Sequence, residues 1–92
     1  MIRSFKDKGL RRFAEKGETR KLSVPNTDRI ARLLVQLNAA TKPEDMNLPG
    51  YRFDELGGDR KGTDAVNASA NDRLTFAWDA PDAIDVDLED YH

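Results

Sequence analysis

Cysteine is absent from this 92-residue chain, which excludes disulfide frameworks, thiolate nucleophiles and thiolate metal sites. Histidine occurs once, at position 92, so no imidazole has a second of its kind with which to hold a metal. There is no apolar run of the ~18 residues a membrane helix needs, and the opening MIRSFKDKGL carries a charge every few residues. Neither a membrane span nor a secretory leader is expected, and the protein reads as cytoplasmic. No GxxxxGK or GxGxxG stretch offers a cradle for a nucleotide cofactor. Asp85, Asp87, Glu89 and Asp90 could hold a hard cation loosely, but their spacing along a strand reads better as a solvated, aggregation-resistant face. No metal and no cofactor is expected.

What remains is charge, unevenly placed. Met1 to Leu37 holds ten lysines and arginines against four acids, whereas Asn38 to His92 holds five against thirteen. A basic half is joined to an acidic half. Basic helices can track phosphates, although charge alone equally describes two solvated surfaces. At this length the chain supports one domain, residues 1–92, with one modest core.

The period of the apolar residues divides the chain in two. MIRSF alternates as a short strand, and KDKGLRRFAEKG sets Leu10, Phe13 and Ala14 on a helical stripe that ends at Gly17, with Gly9 weakening the helix. After the basic connector ETRKLSVPN, a second helix is expected from Asn26 or Thr27, either of which can cap it. Its stripe is Ile30, Leu33, Leu34 and Leu37, at i, i+3, i+4 and i+7. Two prolines and a glycine in TKPEDMNLPG end the helical half. The period then becomes 2. Strands are expected at YRFDEL, weakly at TDAVNASAN, strongly at DRLTFAW, and at the closing IDVDLEDYH, with GGDRKG and DAPDA as connections. In the last strand Ile84, Val86 and Leu88 should share one face and Asp85, Asp87 and Glu89 the other. The expected architecture is α+β, with two N-terminal helices packed on one face of a mainly antiparallel sheet.

Chemistry without metal or thiol rests on acid, base and charge. Imidazole, with an unperturbed pKa of about 6.5, both takes and gives protons near neutrality. Cleavage of RNA through its own 2′-hydroxyl needs such groups and a cation to steady the charged phosphorane. Asp90 and His92 supply candidate acid–base groups, Tyr91 can stack on a base, and Arg73, on the strand expected to neighbour the last one, is the candidate phosphate clamp. A single terminal histidine is also compatible with an idle surface residue.

MIRSFKDKGLRRFAEKG, ARLLVQLNAATKPEDMNLPGYR, L-x-GDRKG, N-x-R-L-T-F-x-W and the closing D-x-x-D-Y-H together resemble the HigB branch of RelE/ParE-type toxins, over nearly the whole chain and in order. The resemblance implies a compact RelE-like fold and a ribosome-dependent mRNA interferase that cuts messenger RNA in the ribosomal A site by metal-independent acid–base chemistry. It also implies a HigA-like helix-turn-helix antitoxin, through which alone operator DNA would be met. Carried over by motif, Arg73, Asp90, Tyr91 and His92 form the catalytic group. Arg11, Arg12, Lys16, Arg20, Lys21, Arg52, Arg60 and Lys61, with Arg29 and Arg32 beside them, would meet 30S ribosomal RNA. Some active members carry histidine, lysine and an aromatic residue where this chain has Asp54, Gly57 and Asp72. Those departures leave a second class open: a non-nucleolytic toxin-fold binding protein, either gyrase-targeting like ParE or an antitoxin-binding co-repressor.

Overall fold

The computed structural model describes residues 1–22 and 25–90. Helix α1, Lys8–Lys16, is capped by the Asp7 carboxylate, which accepts from the Leu10 amide at 2.8 Å, and stops at Gly17, whose left-handed φ of 72° ordinary residues adopt poorly. Leu10 is buried and Phe13 half-buried, but Ala14 is exposed, against expectation. Phe13 and Ala14 flank Leu10 on opposite sides of the helix, and α1 leans on the core by the Phe13 side. Gly9 is no mere weak point. A Cβ placed there would sit 2.3 Å from the carbonyl oxygen of Lys21, so glycine is what lets the following connector cross the helix.

Helix α2, Thr27–Ala39, begins as expected with Asn26 accepting from the Arg29 amide at 3.1 Å, and Ile30, Leu33, Leu34 and Leu37 are all buried. A 3₁₀ turn, Pro43–Met46, then leads to a four-stranded antiparallel sheet in the order β1, β2, β3, β4: Asp54–Glu55, Thr63–Asn67, Asp72–Asp79 and Asp82–Asp90, with a second 3₁₀ turn, Gly58–Arg60, between β1 and β2. The expected YRFDEL strand survives only as β1, because Arg52 takes a left-handed φ of 53° and breaks the extended run. MIRSF likewise forms no full strand. It lies parallel to β4 through two isolated bridges, Ile2 to Ala83 and Phe5 to Val86.

The register of β3 with β4 decides what each face of the sheet carries. A two-residue turn, Ala80–Pro81, pairs Asp79 with Asp82, and Ala77 pairs with Ile84. Thr75, however, pairs with Asp87, so β4 holds one residue too many in between, and the surplus is taken up at Asp85, whose φ is 54°. The expected inward set Ile84, Val86, Leu88 is thereby corrected. Ala83 and Val86 are fully buried, Ile84 is half-buried on the other face, and simple alternation resumes only after the bulge. Helices α1 and α2 cover the face that carries Val66, Leu74, Phe76, Ala83 and Val86. The uncovered face carries Asp54, Asn67, Arg73, Thr75, Asp87 and Glu89. No helix among the described residues is long and apolar enough to cross a membrane.

Candidate active site

The open face is built on one rung of the sheet, Asn67 to Arg73 to Glu89. Asn67 ends β2, Arg73 follows the first residue of β3, and Glu89 stands next to last in β4, so the rung lies at one end of the sheet. Beside it, Arg52, Phe53, Asp54, Asn67 and Arg73 line an open cleft of about 310 Å³. The left-handed backbone at Arg52 that cuts β1 short leaves this arginine on the wall of the cleft. Arg73 is largely sheltered, with Nη1 4.0 Å from an Asp54 carboxylate oxygen.

On the other side of Arg73 the charge is locked. Glu89 accepts from both terminal nitrogens of Arg60, at 2.8 and 2.6 Å, and from the Thr75 hydroxyl at 2.6 Å. The bidentate guanidinium holds the Glu89 carboxyl down at about 2, opposed by burial and helped by Thr75, and the Arg60 pKa is raised in return. Beneath this pair Thr75 is only 1% exposed, which makes the open face a roofed polar surface rather than a bare one. Asp87, the next acid on that face, is pushed up, chiefly by burial.

Sequence reasoning set Arg73 beside Asp90, Tyr91 and His92. The structure places Asp90 one rung beyond Arg73, opposite Asp72 and therefore on the other face of the ladder, and exposed. Tyr91 and His92 lie outside the described residues. Of the residues assigned to RNA, Arg11, Arg12 and Lys16 are exposed along α1, and Arg20 and Lys21 are exposed in the connector after it. Arg12 and Arg20 both approach Glu18, at 3.5 and 3.9 Å. Arg52 enters the cleft, Arg60 is engaged by Glu89, and Lys61 lines a different hollow, on the helix side of β1. Arg32 is exposed.

Arg29 is not part of a phosphate-tracking surface. It donates to the Asn67 carbonyl at 2.8 and 3.2 Å and to the Gly50 carbonyl at 2.9 Å, and its guanidinium carbon sits 5.5 Å from the centre of the Tyr51 ring. It ties α2 to the loop before β1 and to the end of β2, and so fixes the wall on which Asn67 is presented. Asn67 and Thr75 carry no signal in the sequence, and Glu89 reads there only as one more acid of a solvated strand face. What brings them together is the cross-strand register, which the bulge at Asp85 conceals.

Two arginines and a side-chain amide around an open cleft suit an anion, and guanidinium donors match phosphate oxygens in pairs. Asp54 and Glu89 stand where such an anion would compete with them. Among the described residues no three carboxylates converge closely enough to hold a metal ion.

Residues 3–92 match the family model of the HigB-like toxins, described as the RelE-like toxin of the type II toxin–antitoxin system HigB. Over 92 residues, all of both chains, the sequence is 39% identical to the Endoribonuclease HigB of Proteus vulgaris. It is also 35% identical over 81 residues to Toxin HigB-1 of Vibrio cholerae, with 85% of this chain and 84% of the relative covered.

Proposed function

The chain belongs to the HigB-like toxins, a RelE-like family of type II toxin–antitoxin systems, and is an endoribonuclease of that class; on this premise we propose that it cuts messenger RNA in the ribosomal A site at the end of the sheet that carries Arg73. The observation that carries this reading is the sheltered Arg73 on the uncovered face, in a cleft shared with Arg52 and Asn67 and next to the end of β4. In the reaction a base takes the proton of the ribose 2′-hydroxyl, the 2′-oxygen bonds to phosphorus, and the bond to the 5′-oxygen breaks as an acid protonates it. A 2′,3′-cyclic phosphate and a free 5′-hydroxyl result. Arg73 steadies the phosphorane and His92 is the candidate acid–base group, with Tyr91 against a base, whereas Asp90, on the other face of the ladder, does not face the same phosphate. The step needs no metal.

The exposed cations Arg11, Arg12, Lys16, Arg20 and Lys21 serve ribosomal RNA, and Arg60 joins them once phosphate displaces Glu89 from it. A helix-turn-helix antitoxin of the HigA kind neutralises the toxin in the cytoplasm and is its only route to operator DNA.

The test is induction of the toxin alone, followed by mapping of RNA 5′ ends. Cuts inside translated messages in codon register are expected, and they should vanish in His92→Gln, which keeps a polar side chain but cannot exchange a proton near neutrality. Growth arrest with intact messages and broken DNA would overturn the reading in favour of a gyrase poison. Undiminished cutting by His92→Gln would remove the histidine from the chemistry.

A further inference from the structure

A second hollow lies on the helix side of β1, away from Arg73. It has a volume of about 340 Å³, and its lining includes the Phe53 and Trp78 side chains and three acids, Glu44, Glu55 and Asp64. Asp64 is 8% exposed, yet among the described residues no hydrogen bond or ion pair reaches its carboxylate. Glu55 stands directly across the ladder from Asp64 on the same face. Like charges in that position destabilise a sheet, and partial desolvation of a carboxylate that has no ion-pair partner adds to the penalty. The Asp64 carboxyl is held above its usual range, first by burial and then by Glu55 and Glu44. Lys61 also lines the hollow, but no ion pair joins it to any of the three acids.

Such an arrangement is unfavourable when empty and favourable around a positive guest. The three acids do not converge as metal ligands, whereas two aromatic side chains in the wall favour a flat, weakly hydrated organic cation. RNA is repelled by the same charges. We infer that this hollow is a binding site for an arginine side chain of a protein partner, with the guanidinium between Asp64 and Glu55 and against Trp78 and Phe53. The site is separate from the cleavage cleft and does not depend on the chemistry assigned there.

Trp78 is the chain's only tryptophan and reports on the hollow directly. The full chain is titrated with N-acetyl-arginine-N-methylamide while Trp78 fluorescence and backbone amide shifts are followed. Saturable changes at Gly62, Asp64 and Trp78 are expected. The neutral citrulline counterpart should give none, and Asp64→Asn and Glu55→Gln should each weaken binding at least fivefold. Glu55 is exposed, so Glu55→Gln carries the test if Asp64→Asn fails to fold. Equal response to citrulline, absence of saturation, shifts centred on Arg73, or displacement of the arginine compound by magnesium at the same residues would each overturn the assignment.

Discussion

Two depressions of nearly equal size lie on either side of the two-residue strand β1, and they are opposite in kind. Asp54 points into a cleft with Arg52 and Arg73, whereas its neighbour Glu55 points into a hollow with Asp64 and Glu44. The cause is the pleat itself, since successive side chains leave a strand on opposite faces. A mixed-charge cleft with two arginines can exchange its internal carboxylate partner for a phosphate. An acidic hollow cannot, and its unpaired Asp64 marks it as a place for cations. The net charge of −2 conceals both.

That contrast breaks most severely at Arg73. Arg73→Ala should lower the cleavage rate by about 100- to 1000-fold, roughly 3 kcal/mol of transition-state stabilisation, with the melting temperature little changed. If cutting persists near the parent rate, the arginine-lined depression is not where the phosphate reacts. A smaller effect is expected at Gly9→Ala, where the added methyl meets the Lys21 backbone rather than a side chain that can swing away. A loss of about 2 kcal/mol in urea-unfolding stability is expected, by analogy with overpacked sites. An unchanged or raised stability would show that the connector after α1 moves freely, and with it the basic surface it carries.

The smallest effect sharpens the comparison through pH. The folded-state pKa of Glu89 is depressed to about 2, so the stability its ion pair contributes is present above the ordinary glutamate range and is lost as pH falls from about 4.5 toward 2. Glu89→Gln should therefore be less stable than the parent at pH 7, by about 0.5 kcal/mol because the pair is partly exposed, and the difference should close by pH 2. A difference that persists at pH 2 would mean that shape rather than charge holds the Arg60 loop over Thr75.

Much of this was legible in the residues. The stripe of α2 at i, i+3, i+4 and i+7 and the alternation of β3 are strong periodic signals, and α1 stops at Gly17 and α2 starts at Asn26 as the residues lead one to expect. Three features were not. Gly9 looked like a helix defect because the Lys21 carbonyl that requires it comes twelve positions later and reaches it only through the tertiary fold. Arg29 looked like one more surface cation because nothing local announces the Asn67 and Gly50 carbonyls it serves. The rung joining Arg73 to Glu89 depends on a surplus residue at Asp85, and an aspartate with positive φ has no distinct sequence signature. A strict ladder from the Ala80–Pro81 turn would have set Arg73 against Leu88 and scattered the polar face.

The bonds that flank β4 have a consequence in time. Arg3 and Lys6 donate to the carbonyls of Ala83 and Val86, and the Asp85 amide donates to the Ser4 hydroxyl, a contact between residues 81 apart in sequence. The β3–β4 hairpin closes over a two-residue turn and forms early, whereas the pairing of MIRSF with β4 must wait for the longest loop in the molecule to close. During that interval β4 offers an unpaired edge to any extended chain that meets it.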